Sequence, residues 1–364
     1  MGWVAVSVVV RWLLGWLLAV HLTPLPQGMV RRRPRVSVLI PARNEEATLP
    51  HLLAALACQS LRPLEVIVID DHSRDRTAAI AQAAAATLPL RLVQPPPLAP
   101  GWCGKTWALH HGVKASHGEV LVFLDADTEP QPAFLHNLVA ALQAQGGLVS
   151  VQPYHRTERP YEQLSLLFNL VGLLAVPLGP GSGVAFGPAM ATSRGDYDRS
   201  GGHAAVADKV VEDWFLAHRY EQSGLPVSAY IGDGQIAYRM YPGGLWDLVV
   251  GFDKNFATAA AEVHWPWMVA VVLWLSGLFW AAWCLPAALF GWPLLGDRSL
   301  WINGLIYGAF ALQLWGLTRR VGRFHWIVPI FPLPVLFFLA VFFLAILNLE
   351  RGQVQWKGRR VSTR

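Results

Sequence analysis

Glu119-Val-Leu-Val-Phe-Leu-Asp-Ala-Asp-Thr128 decides how this chain is read. An apolar run stops abruptly at two carboxylates, Asp125 and Asp127, one residue apart. A strand buried on both faces of a parallel sheet reads as a continuous apolar run, and ligands gather at the carboxyl ends of such strands. Side chains of an extended segment alternate, so Asp125 and Asp127 are expected to point the same way and to share one hard cation, Mg2+ or Mn2+. Taken alone, an Asp-x-Asp is more often a strand-end turn with two solvated carboxylates. The rest of the chain has to decide.

Working outward, Val36-Ser-Val-Leu-Ile40 and Glu65-Val-Ile-Val-Ile69 read as strands, Arg91-Leu-Val93 as a short one, and Gly147 to Gln152 and Gly183 to Ala191 as two more. Helices are expected from Asn44 to about Gln59, Thr77 to Leu88, Thr106 to Ser116, Pro132 to Gln145 and Asp208 to Gln222. Such alternation signals an α/β domain with a largely parallel sheet. Asn44 is placed to cap its helix, with Glu45 and Glu46 complementing the positive end. Gly101-Trp-Cys-Gly-Lys105 stands ahead of a helix, where glycines and a lysine can meet a phosphate, although the spacing is not that of a Walker loop and a surface lysine is the commoner case. Glu212 and Asp213 fall in the first turns of their helix, where an isolated acidic pair is usually only a dipole partner. His203, after two glycines, is at least as readily structural as functional.

The hydrophobic fraction of 54% and the 17 Trp are not those of an ordinary soluble enzyme, and the excess lies at the two ends. Trp3 to Leu22 carries one charge, Arg11, and is followed by Arg31-Arg-Arg-Pro-Arg35. A cleaved signal peptide has its basic cluster before the apolar core, so an uncleaved anchor over 1–24 is expected, with the polar middle in the cytoplasm. Trp265 to Gly296, Ser299 to Thr318 and Phe324 to Leu349 lack Lys, Arg, Asp and Glu, and each is long enough to span a ~30 Å hydrocarbon layer. The basic tail 350–364 favours the cytoplasm, which three crossings within 265–349 would not allow; Pro329, Pro332 and Pro334 suggest that the last segment is a re-entrant hairpin. Leu164 to Leu178 is too apolar for a surface helix and is read as an interfacial helix, with a buried core helix as the even alternative. A net charge of +5 without a basic, aromatic-interleaved stripe favours lipid headgroups over nucleic acid. Three cysteines without metal-ligand spacing fit a reducing compartment.

Pro41-Ala-Arg-Asn-Glu-Glu46, Val68-Ile-Asp-Asp71, Asp125-Ala-Asp127 and Val211-Glu-Asp213 together resemble, in order and spacing, the motifs of family 2 glycosyltransferases. Gly101-Trp-Cys-Gly-Lys-Thr-Trp107, Gly201-Gly-His203, Arg239-Met-Tyr-Pro-Gly243, Lys254-Asn-Phe256 and Trp356-Lys-Gly-Arg359 are similar to a bacterial membrane branch of that family. The Gln-x-x-Arg-Trp element of its polymerising members is missing. The resemblance implies a GT-A nucleotide-sugar-binding domain over 36–255. It implies that Asp70 and Asp71 hold uracil and ribose, that Ala42 and Glu45 line the nucleotide pocket, that Asp125 contacts ribose or sugar, and that Asp127 holds the metal. Lys105 and Arg239 are candidate cations for the diphosphate, and Asp213, beside Glu212, is the candidate general base. The expected function is inverting, metal-dependent transfer of one hexose from a nucleotide sugar, UDP-glucose first, to a membrane lipid such as a carotenoid acid. Transfer to a polyprenyl phosphate or hopanoid, and a non-catalytic membrane assembly factor, are the alternatives.

Overall fold

The computed structural model describes residues 2–252, 263–290, 299–350, 354–356 and 359–361. Expectations resting on Lys254-Asn-Phe256 and on the end of the segment closing at Gly296 lie outside the described residues. Two compact units are formed, one from Thr23–Tyr154 with Pro177–Arg239, the other from Met1–Leu22, His155–Val176 and Met240–Arg364.

The first unit is built on β1 (Val36–Ala42), β2 (Glu65–Asp70), β3 (Leu90–Val93), β4 (Val120–Leu124), β5 (Thr128–Pro130), β6 (Leu148–Gln152), β8 (Ala189–Ser193), β9 (Val227–Ile231) and β10 (Ile236–Tyr238), with a two-residue β7 (Tyr154–His155) at its boundary. Seven of these make one sheet in the order β3-β2-β1-β4-β8-β6-β9. β1, β2, β3 and β4 are mutually parallel, as are β6 and β9, whereas β8 runs antiparallel to both β4 and β6. The period of two in β1 sorts its side chains between two cores. Val36, Val38 and Ile40 pack with α2 (Leu49–Ala57) and α5 (Phe134–Gln145), while Leu39 faces α4 (Gly104–Ala115) and α8 (Glu212–Gln222) with Leu121 and Phe123. All five residues of β4 are buried.

Several boundaries differ from the sequence reading, each for a local reason. Asn44 does not cap a helix: it sits at φ 55°, its side chain accepts from the Arg74 amide at 2.8 Å, and α2 begins only at Leu49. The helix expected from Thr77 to Leu88 is α3 (Thr77–Ala84). The strand expected over 183–191 starts at Ala189. β9 and β10, and α7 (Arg194–Ser200), carried no separable sequence signal.

The second unit gathers the apolar helices. Trp265–Leu289 and Leu300–Val321 are long and apolar enough to cross a membrane; Val6–Ala19, within α1 (Gly2–Ala19), and Pro332–Leu347 are shorter apolar helices. The re-entrant hairpin expected in the last segment is not formed. Pro332 and Pro334 instead open one continuous helix, Pro332–Glu350, whose first turn needs no amide donors. A polar clasp fastens three of the helices: Trp12 Nε1 donates to the Ala309 carbonyl at 3.0 Å, Gln313 Nε2 to the Trp12 carbonyl at 2.6 Å, and Trp274 Nε1 to Gln313 Oε1 at 3.0 Å. Gly15 lies against this clasp, because a Cβ there would come within 2.4 Å of Trp274 Nε1.

The segment read as interfacial becomes α6 (Leu166–Leu174), and protein, not lipid, covers the face assigned to lipid: Leu166 and Leu170 are each 0% exposed. Phe168 stacks on Phe252 at 4.3 Å and meets Phe338 at 4.8 Å. The apolar character of α6 is that of a core helix of this unit, and of its nine residues Gly172 alone is exposed.

Candidate active site

The site lies in the first unit, at the carboxyl ends of β1, β2 and β4. β4 stops at Leu124, so Asp125 and Asp127 stand in a turn and not, as alternation predicted, on a strand. The Asp125 amide donates to the Pro188 carbonyl at 2.9 Å, and the Asp125 carbonyl accepts the Thr128 hydroxyl at 2.8 Å. The turn nonetheless brings the carboxylates together. Burial, then Asp125 and Glu45, push the Asp127 carboxyl up to about 7. Across from it, β10 pairs antiparallel with β5 so that Tyr238 faces Thr128, and Arg239 follows directly after β10.

Lys105, in the first turn of α4, is bonded to two acids. Its Nζ is 2.8 Å from Asp125 Oδ1 and 2.9 Å from Glu212 Oε1. Against the opposing effect of burial, Asp125 and Glu212 hold the Lys105 ammonium well above its ordinary value. Burial acts to raise Glu212 too, but Lys105 holds its carboxyl below the usual range. Asp213 is fixed by two backbone donors, with Gly187 N 2.6 Å from its Oδ2 and Trp214 N 3.0 Å from its Oδ1. Burial and the adjacent Glu212 push the Asp213 carboxyl up to about 6, with Lys105 pulling the other way. Proximity to ordinary pH is what a proton acceptor needs.

His203 stands behind Glu212 and is fully buried. Its amide donates to the Tyr197 hydroxyl at 2.9 Å, that hydroxyl is 2.9 Å from His203 Nδ1, and Nε2 is buried without a hydrogen-bond partner. Burial lowers the ring to about 3, keeping it neutral.

The two acids expected to hold the nucleoside differ in kind. Asp70 is engaged in its own turn: Oδ1 accepts the Ser73 amide and Oδ2 the Gln94 amide group, both at 3.0 Å. Asp71 receives Arg43 Nη1 on Oδ2 and on its carbonyl, both at 2.9 Å, while Oδ1 is buried without a hydrogen-bond partner. Its amide donates to the Ala42 carbonyl at 2.9 Å, tying the ends of β1 and β2. A buried orphan acceptor is costly unless a ligand supplies a donor. Glu45 binds the Thr48 hydroxyl at 2.8 Å and adds its charge to that of Asp125 and Asp127. The sequence reading singled out neither Arg43, which holds Asp71, nor Gly187, whose amide holds Asp213. Arg43 sits within a motif already singled out, whereas nothing in the local sequence marks Gly187.

Among the described residues no three His, Cys, Asp or Glu side chains form a set that could hold a metal unaided. One carboxylate, Asp127, crowded by like charge, suits a divalent cation whose remaining ligands come from a diphosphate.

An α/β sheet with a parallel half, an antiparallel strand beside its central strand, and acids gathered at the strand ends defines a GT-A-like glycosyltransferase domain. The family model for glycosyl transferase family 2 matches residues 37–194. The chain is 36% identical to 4,4'-diaponeurosporenoate glycosyltransferase of Staphylococcus haemolyticus (strain JCSC1435) over 343 residues, 90% of this chain and 88% of that one. It is 35% identical to the Staphylococcus aureus (strain MRSA252) protein of the same name, with the same coverage. Among solved structures, mannosyltransferase PcManGT from Pyrobaculum calidifontis, in complex with GDP-Man and Mn2+, shares the fold with a TM-score of 0.58 at 21% identity, covering 95% of this chain and 97% of that one. The chain belongs to glycosyltransferase family 2. It is a glycosyltransferase, and the expectation of a non-catalytic assembly factor falls.

Proposed function

We propose that this chain moves a single hexose, with inversion, from a uridine nucleotide sugar to a lipid acceptor held at the membrane, with a carotenoid acid as the first candidate acceptor. The observation that carries this reading is the meeting of a donor-side pair, Asp125 and Asp127, with an acceptor-side pair, Glu212 and Asp213, through one lysine. The orphan Asp71 Oδ1 suits a ring N–H such as that of uracil, a donor that guanine shares and that cytosine and adenine lack. Mg2+ or Mn2+ bound at Asp127 would neutralise charge on the leaving diphosphate.

The reaction the residues support is a single displacement. The acceptor oxygen bonds the anomeric carbon as its bond to the diphosphate oxygen breaks, the electron pair leaving with the nucleoside diphosphate. Arg239, directly after β10, offers a cation to that charge. A hydroxyl acceptor gives its proton to Asp213. A carboxylic acid acceptor has little need of a base, and Asp213 then mainly orients it. The names of the relatives support an acid acceptor, and the apolar helices support a lipid one, with the catalytic domain over 36–255 on the cytoplasmic side.

Lipids extracted from cells with and without the gene, in a host making the carotenoid acid, test the reading by mass spectrometry. A new species heavier by one hexose is expected, and its loss in Asp127→Ala cells ties it to this site. An unchanged lipid profile with active protein present would refute the acceptor class.

A further inference from the structure

The sequence assigns Lys105 to the donor's diphosphate, but the structure gives its ammonium other work. Its two partners come from different elements, Asp125 from the end of β4 and Glu212 from the start of α8, at 2.8 and 2.9 Å. The side chains are 22%, 28% and 8% exposed for Lys105, Asp125 and Glu212, so water reaches the cluster from the Lys105 and Asp125 side and hardly from the Glu212 side. A third acid is close by. A Cβ built on Gly187 would lie 3.1 Å from Lys105 Nζ and 3.2 Å from Asp213 Oδ2, which puts the ammonium and the Asp213 carboxylate around one point that glycine leaves open.

We propose that Lys105 is a positioning residue for the acceptor-side acids, a clamp that joins the β4 turn to the start of α8 and keeps Asp213 charged, and not a ligand of the diphosphate. This rests on the assignment of Asp213 to the acceptor side. The charges around Asp213 act with opposite signs. Glu212, its neighbour on α8, disfavours the carboxylate; Lys105, from α4, favours it; the Gly187 and Trp214 amides favour it as well. His203, from the segment preceding α8, is neutral, and Asp125 is already paired with Lys105. Asp125 and Glu212 take two of the three donors of the Lys105 ammonium, which leaves at most one for a phosphate, and a phosphate that drew the ammonium away would leave the hardly exposed Glu212 as an unpaired buried charge.

The test compares Lys105→Met, Lys105→Arg, Glu212→Gln and the double variant Lys105→Met/Glu212→Gln. Turnover on a hydroxyl acceptor is followed against pH, and UDP binding with Mn2+ is followed by calorimetry. Without the ammonium, the acid limb of turnover is expected to move up by about one pH unit; without the Glu212 charge it is expected to move down, and the double variant to lie between. Lys105→Arg keeps the charge and should return the limb toward the parent's position. UDP affinity should change by less than about threefold in Lys105→Met, well under the tenfold that 1.4 kcal/mol represents. If Lys105→Met weakens UDP binding more than about tenfold while the limb stays in place, Lys105 is a diphosphate ligand and the inference is wrong. Uniformly lower turnover with no shift of the limb in either single variant overturns it too, marking a merely structural ion pair. Should Lys105→Met fail to fold, the position of the double variant relative to Glu212→Gln decides the matter, since the double variant removes the hardly exposed Glu212 charge with its partner and leaves only the more exposed Asp125 without its lysine. A parent that transfers no sugar at all refutes the proposed function instead, and is told apart because the parent is measured first.

Discussion

Arg43→Met separates nucleotide recognition from mere folding, and its effect can be worked from two contacts. One guanidinium nitrogen serves both the Asp71 carboxylate and the Asp71 carbonyl at 2.9 Å. The Asp71 side chain is 5% exposed and Arg43 is 18% exposed. Removing one partner of a fully buried pair costs about 3–5 kcal/mol; water reaching Arg43 brings this nearer ~2 kcal/mol. That loss should appear as a lower Tm. The carboxylate, freed from its clamp, also ceases to hold Oδ1 at one fixed point for an incoming N–H, and a hydrogen bond to a charged group is worth ~1.5–3 kcal/mol. UDP affinity should therefore fall by roughly tenfold or more. Calorimetric titration of UDP with Mn2+, beside a thermal melt, measures both quantities. Arg43→Lys should lie between parent and Arg43→Met, since it keeps the charge on a head group of different shape and reach. The reasoning fails if Arg43→Met lowers Tm as stated yet binds UDP within about twofold of the parent, for then the pair supports the strand ends and the base is read elsewhere.

Asp127→Ala should abolish metal-dependent UDP binding while leaving Tm unchanged or higher, because it removes a carboxylate held up at about 7 by its acidic neighbours; calorimetry with and without chelator checks it. Asp213→Asn should cut turnover on a hydroxyl acceptor by ~10²–10⁴ with UDP binding retained, and parent turnover should fall as pH drops through about 6, where the base takes up its proton. The same raised value favours the fold at low pH and loses that contribution as pH rises through about 6, so the Asn variant should show a flatter dependence of Tm on pH in that range. Leu166→Ser with Leu170→Ser should lower Tm and reduce detergent-extracted folded protein, not selectively impair the lipid acceptor, since both side chains are 0% exposed inside protein and such core truncations cost ~2–5 kcal/mol each.

What could be read in advance followed from strong local chemistry. The runs Val36 to Ile40, Glu65 to Ile69 and Val120 to Leu124 are apolar because each strand is covered on both faces, and that same burial forces the chain to meet water at Asp70 and Asp125. Long-range pairing was not legible. Lys105 was read from its flanking glycines as a phosphate cation, but its partners lie 20 and 107 residues away and come together only when α4 and α8 pack. α6 misled for a related reason: an all-apolar helix fits lipid and a protein core equally well, and only the arrival of residues such as Phe252 and Phe338 distinguishes them. The prolines of 329–334 carried two meanings, a bend or a helix start, which nearby sequence does not separate.

The clasp of Trp12, Trp274 and Gln313 has a consequence for how the molecule is made. Its bonds join residues 297 and 301 positions apart, so when the first helix leaves the ribosome its partners do not yet exist. The strands of the catalytic unit, all between Val36 and Tyr238, can pair while the helix waits. The bundle closes late, when Gln313 presents its amide to a backbone carbonyl synthesised near the start. A chain stalled before Leu300 would carry the whole catalytic sheet and an unclasped first helix, and proteolytic sensitivity near Leu22 during synthesis would report the moment of closure.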